Sequence, residues 1–234
     1  GEPMYFLDPL YIFVMAVCFL LSMSASLWVK AATSRWSKVP IGQGLAGKEI
    51  ARIVLDAQGI DGVRIERVGG FLSDHYDPGT RTLRLSPGIH DGRSVTAAGV
   101  AAHEAGHAIQ HAQGYAPMQL RQAMVPAAKL GTSLGIWLVV IGAAIGVSGL
   151  AKLGVVLFGC FVLFTFITLP VELDASFRAK KALLASGLIS GEEARGVSEV
   201  LTAAAATYLA SALSAVLQLL YWAMRAGLLR GRRE

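Results

Sequence analysis

At 234 residues the chain has room for one or two domains, and it is 54% hydrophobic and 16% charged, against about 25% charged in ordinary soluble domains. With a mean hydropathy of +0.53, that balance excludes a disordered, collagen-like or nucleic-acid-binding tail protein and points to lipid as a second solvent. The net charge of +5 then fits anionic lipid headgroups better than nucleic acid.

Gly1-Glu2-Pro3 ahead of Met4 reads as residual expression sequence. Residues 9–29, 130–151, 153–171 and 200–224 contain no Asp, Glu, Lys or Arg. Each falls within the roughly 17–25 residues that a helix needs to cross a bilayer, and lipid forces backbone groups to pair within the segment. The first reads as an uncleaved anchor: Glu2 and Asp8 precede it, no basic residue does, and it is longer than a signal-peptide apolar region. Pro9 suits its first turn. Residues 44–58 place apolar side chains at helical spacing and read as a core helix. Next come two strands, VRIERV (63–68) and TLRLS (82–86), with a break at Gly69-Gly70 and a turn at Asp77-Pro78-Gly79-Thr80. Residues 94–114, SVTAAGVAAHEAGHAIQHAQG, form a helix from the N-cap Ser94 to the stop Gly114. Lys152 alone separates the two middle spans, which predicts a tight helical hairpin or one kinked unit around it. The last span is rich in Ala, Ser and Thr and carries Gln218, so it either crosses or lies against the bundle. Cys18 and Cys160 fall inside spans and read as small packing residues.

The implied divisions are an N-terminal anchor (1–29), a domain built around the 94–114 helix (30–129), a transmembrane hairpin (130–171), a further polar helix (172–199), and a last span with its basic tail (200–234). Two crossings return the chain to the side it left, so residues 30–129 and 172–199 face one compartment. Lys and Arg near the span ends on that side, from Lys30 to Arg195, outnumber Lys152, Arg225, Arg230, Arg232 and Arg233 on the other. That bias predicts a multi-pass protein of the plasma (inner) membrane with its polar regions in the cytoplasm.

The chemistry lies in His103-Glu104-Ala105-Gly106-His107. Residues i and i+4 share a helix face, so two imidazoles can hold one metal ion while Glu104 reaches water beside it. Imidazole nitrogen suits zinc, expected at one ion per chain. A metzincin would need Gly at 110 and His at 113; Gln110 and Gln113 exclude that class. His111, two turns beyond His103, is read as supporting the site or lying on the surface. Glu172, just past Pro170 where a span leaves lipid, is costly there unless paired or coordinating. It reads as the third ligand or, alternatively, as the partner of Arg178.

These residues resemble a known family, the YugP-like neutral zinc metallopeptidases of bacterial membranes. The likeness rests on LSDHYDPGTRTLRLSP (72–87), the zinc-helix segment, LPVELDASFRA (169–179) and the Ala-rich ATYLASAL near the end. Glu172-Leu-Asp-Ala175-Ser176 is similar to the Glu-x-x-Ala-Asp of HtpX-type and CAAX prenyl proteases, in which Glu is the third zinc ligand and Asp supports the site. Here Ser176 replaces that Asp, and Asp174 is expected on a different helix face. The resemblance implies a mainly α membrane protein: about four transmembrane helices, a gluzincin-like zinc helix, and a small β-hairpin or sheet in a membrane-surface domain. An edge strand of that sheet would take substrate by main-chain pairing, or the hairpin would only cover the zinc helix.

The expected activity is a zinc-dependent endopeptidase acting on membrane or membrane-proximal proteins, with Glu104 as general base and His75, Tyr76 or Arg178 as oxyanion donor. Its partners are the bilayer and a protein or peptide substrate; the sequence carries no signal for oligomeric state. One alternative is a site-2-type intramembrane protease, but the charge-free run before His103 starts only at Ser94. The other is a zinc-binding membrane scaffold, which would have no need of Glu104.

Overall fold

The computed structural model describes residues 8–70 and 73–229. The expectations placed on Gly1-Glu2-Pro3, on Leu72 and on Arg230, Arg232 and Arg233 lie outside the described residues. Four helical stretches among the described residues are long and apolar enough to cross a membrane: Pro9–Trp36, Ala116–Ala144, Ser148–Ala185 and Gly191–Arg225. The chain is a mainly α membrane protein with a small three-stranded sheet. It divides into two compact units, one of residues 1–25, 120–169 and 207–234, the other of residues 26–119 and 170–206.

In the first unit, α1 (Pro9–Trp36) starts at Asp8, whose Oδ1 accepts from the Leu10 amide at 3.0 Å. The other carboxylate oxygen accepts from the Tyr221 hydroxyl at 3.0 Å and faces Arg225 at 3.7 Å, near the end of α8 (Gly191–Arg225). Nearer the middle of each helix, the Cys18 thiol donates to the Ser214 carbonyl at 3.7 Å. Position 8 meets 221 and position 18 meets 214, so α8 runs antiparallel to α1. The last apolar segment therefore passes back along the first.

The span expected at 130–151 begins earlier, as α5 (Ala116–Leu130). It passes through a π-helical turn at Gly131–Gly135 and ends as α6 (Ile136–Ala144). The Thr132 and Ser133 hydroxyls both donate to the Lys129 carbonyl, which satisfies backbone freed at the π turn. The reversal expected at Lys152 falls instead at residues 145–147. Gly146 is left-handed (φ +74°), with Val147 N–H bonded to Gly142 O at 2.8 Å and Gly146 N–H to Ala143 O at 3.4 Å. This is a Schellman stop. Lys152 lies four residues into the next helix, α7 (Ser148–Ala185), so backbone chemistry rather than the charge sets the turn. Glycines bring α6 and α7 together: a Cβ at Gly142 would stand 2.5 Å from Ala151 N, and one at Gly154 would stand 2.5 Å from Gly135 O.

In the second unit, α2 (Gly47–Asp56) packs Ile50, Ala51, Val54 and Leu55 against α4 (Val95–Ala112). Full burial of each larger apolar side chain is worth about 1.5–3 kcal/mol. Ser94 caps α4 by accepting from Ala97 N–H at 3.2 Å, and Gly114 ends it in a left-handed conformation, both as the sequence predicts. Strands β1 (Arg64–Arg67), β2 (His75–Asp77) and β3 (Thr82–Leu85) form a sheet ordered β1-β3-β2. The two expected strands, β1 and β3, pair in parallel, and the hairpin is made by β2 and β3. Three residues ahead of Pro78 are too few for an alternation pattern to register in the sequence. Short α3 (Pro87–His90) leads from β3 towards α4.

Candidate metal centre

Helix α4 is buried on nearly every side, and Ala and Gly make that possible by letting neighbours approach its backbone. The closest approach is at Gly106, where a Cβ would stand 2.6 Å from the Ala175 carbonyl oxygen of α7. That contact brings His103 and His107 up to Glu172. Glu172 Oε2 lies 3.2 Å from His103 Nε2 and 3.4 Å from His107 Nε2, and one ligand atom from each residue falls within 4.8 Å of the others. A tetrahedral zinc with bonds of about 2.0–2.2 Å holds its ligand atoms roughly 3.3–3.6 Å apart. Two nitrogens and one carboxylate oxygen at these separations fit such an ion. The side chains are sheltered, at 13%, 9% and 3% exposure for His103, His107 and Glu172. Polar groups so sheltered need partners, which these three find in one another or in a shared cation.

The second ring nitrogens are also engaged. Ser176 Oγ lies 3.1 Å from His103 Nδ1, one turn of α7 beyond Glu172. Gln110 Oε1 lies 3.0 Å from His107 Nδ1, and Gln110 Nε2 donates at 2.8 Å to both Val171 O and Asp174 Oδ2. Sequence reading missed Gln110 as a member of the site. Its position three residues after His107, on the adjoining helical face, was the available signal. Asp174, expected on a different face, joins the site through that amide. Burial alone would depress the His107 pKa, but its hydrogen bond to Glu172 and the charge of Glu104 outweigh burial and hold it above the usual value.

The other expected residues are placed apart from this cluster. Arg178 bonds Asp174 and Gln113 and lies over the Tyr115 ring at 5.4 Å, so its acidic partner is Asp174 and Glu172 turns to the histidines. His111 Nδ1 meets the Tyr76 hydroxyl at 2.9 Å and takes no place among the three ligand atoms. Burial raises the Tyr76 pKa above its ordinary value, keeping that hydroxyl protonated. Exposed His75 points its Nδ1 to the Ser73 carbonyl at 2.7 Å. Glu104 is largely buried, at 8% exposure.

A family profile described as "Putative neutral zinc metallopeptidase" matches residues 11–227. The chain belongs to this family. It is 41% identical to the "Putative membrane protease YugP" of Bacillus subtilis over 225 residues, which covers 96% of this chain and 99% of that protein. No solved structure matches it. Family and geometry together support a zinc protease in a membrane, with His103, His107 and Glu172 as residues able to hold a metal ion.

Proposed function

We propose that the chain is a gluzincin-type zinc endopeptidase of the plasma membrane that cleaves membrane or membrane-proximal proteins at its cytoplasmic face. The observation that carries this reading is the convergence of His103 Nε2, His107 Nε2 and Glu172 Oε2 on one point beside Glu104 in the HEAGH motif. These three side chains would hold one zinc ion, which would acidify a water and polarise the scissile carbonyl. Glu104 takes a proton from the attacking water and passes it to the departing amine nitrogen. The sheltered walls around Glu172 and the histidines keep other water away, so charges in the site act at greater strength than they would in bulk solvent. Ser176 and Gln110 hold the two imidazole rings in place from behind.

Purified protein is expected to contain about one zinc per chain. Glu104→Gln should retain that zinc and lose cleavage of an unfolded test protein. Cleavage at the wild-type rate by Glu104→Gln would overturn the mechanism.

A further inference from the structure

Gln110 is fully buried, and both ends of its amide are committed. One end lies 2.8 Å from Val171 O and 2.8 Å from Asp174 Oδ2. A backbone carbonyl can only accept a hydrogen bond, and Asp174 Oδ2 also accepts from the Arg178 Nε–H, so this end must be the NH2 group. The end facing His107 Nδ1 at 3.0 Å is then the carbonyl oxygen, which can only accept. His107 Nδ1 must therefore carry hydrogen, and Nε2 is the nitrogen turned to Glu172. His103 lacks such a constraint: the Ser176 hydroxyl on its Nδ1 can donate or accept, so it orients the ring without selecting a tautomer.

We propose that Gln110 is the positioning residue of the metal centre. Anchored to α7 through Val171 and Asp174, it holds His107 as the Nδ1–H tautomer and so presents Nε2 to the ion. Asp174 acts one step further out, accepting from both Gln110 and Arg178, and Gln113 holds Arg178 in turn. The inference rests on the zinc reading above and adds to it the residue that prepares one ligand before metal arrives.

The test uses the full-length protein in detergent, with zinc affinity measured by chelator competition and thermal melting of the metal-free forms as the check on folding. Gln110→Leu keeps the side-chain bulk but removes the acceptor. It should weaken zinc binding about 10–100-fold, the usual cost of losing a partner behind a metal-binding histidine. In wild-type protein with 15N-labelled histidine, the zinc-loaded form should show His107 with a protonated Nδ1 and a metal-bound Nε2. The inference is overturned by wild-type affinity in a folded Gln110→Leu, or by a metal-bound Nδ1 at His107. Wild-type protein that binds no zinc would instead overturn the zinc reading, and this inference with it.

Discussion

At the scale of single residues, the site depends as much on an absent side chain as on those present. Gly106 is the second variable position of the HEAGH motif, and sequence reading gave it no part. In the structure it is where α4 meets the α7 backbone, with 2.6 Å between its virtual Cβ and Ala175 O. Gly106→Ala should push the helices apart, pulling Glu172 from the histidines. Expected outcomes are a loss of about 1–3 kcal/mol in stability, as for other overpacked cores, together with weaker zinc binding; melting and chelator competition would measure both. Loss of stability with unchanged zinc affinity would show that the contact does not govern ligand spacing. The ligand set has a companion prediction. Glu172→Ala should lose zinc while His111→Ala keeps it, because His111 faces Tyr76; metal content after dialysis distinguishes the two. The two histidines and Glu104 were legible because i, i+4 spacing is a local property of a helix. Gln110 was not, because its role depends on the approach of a helix more than sixty residues away, where it meets Asp174, a residue the sequence offered as possible support for the site.

At the scale of elements, helices were legible where a local rule sets their limits and shifted where it does not. Ser94 and Gly114 bound α4 as read, since caps are chosen by nearby residues. Charge-free stretches underestimate α1, α7 and α8, because charge marks where lipid ends and a helix can continue beyond that point. Strand β2 escaped notice, yet its last residue organises the hairpin. Asp77 Oδ1 accepts from Gly79 N–H at 2.9 Å, and Oδ2 accepts from the Thr80 hydroxyl at 2.7 Å and from Arg84 at 2.8 Å. The Arg84 bond, followed by that of Thr80, holds the Asp77 carboxyl well below the usual carboxylate range. A depressed folded pKa stabilises the fold above the unfolded value of about 3.9, and that contribution is lost as pH falls through the folded pKa. Below about pH 4 the wild-type melting temperature should therefore fall more steeply than that of Asp77→Asn, compared by melts across an acid series. Parallel slopes would show that the turn does not depend on this charge.

At the scale of the whole molecule, counting spans leaves one ambiguity, whether the Ala-rich last segment crosses or lies against the bundle. The pairing of Asp8 with Tyr221 and Arg225, together with Cys18 on Ser214, runs α8 antiparallel to α1, which favours the crossing reading. A helix that retraces a crossing helix should cross too, which predicts an even number of passes with Pro9 and Arg225 on the same side. The excess of Lys and Arg in residues 30–129 and 172–199 predicts that those regions face the cytoplasm and that this side faces out. The expectation can be tested by cysteine labelling in intact cells. Cys18 and Cys160 are first replaced by Ala, and single cysteines are then introduced at Gly146, in the α6–α7 turn, and at Gly59, after α2. Both glycines are left-handed, so each variant is checked for zinc content before labelling. A membrane-impermeant maleimide should label Gly146→Cys in intact cells, and Gly59→Cys only after the membrane is opened. The reverse pattern would put the zinc residues outside the cytoplasm and change the class of substrate they meet. Labelling of both in intact cells would show that the Ala116–Ala144 stretch between them does not cross.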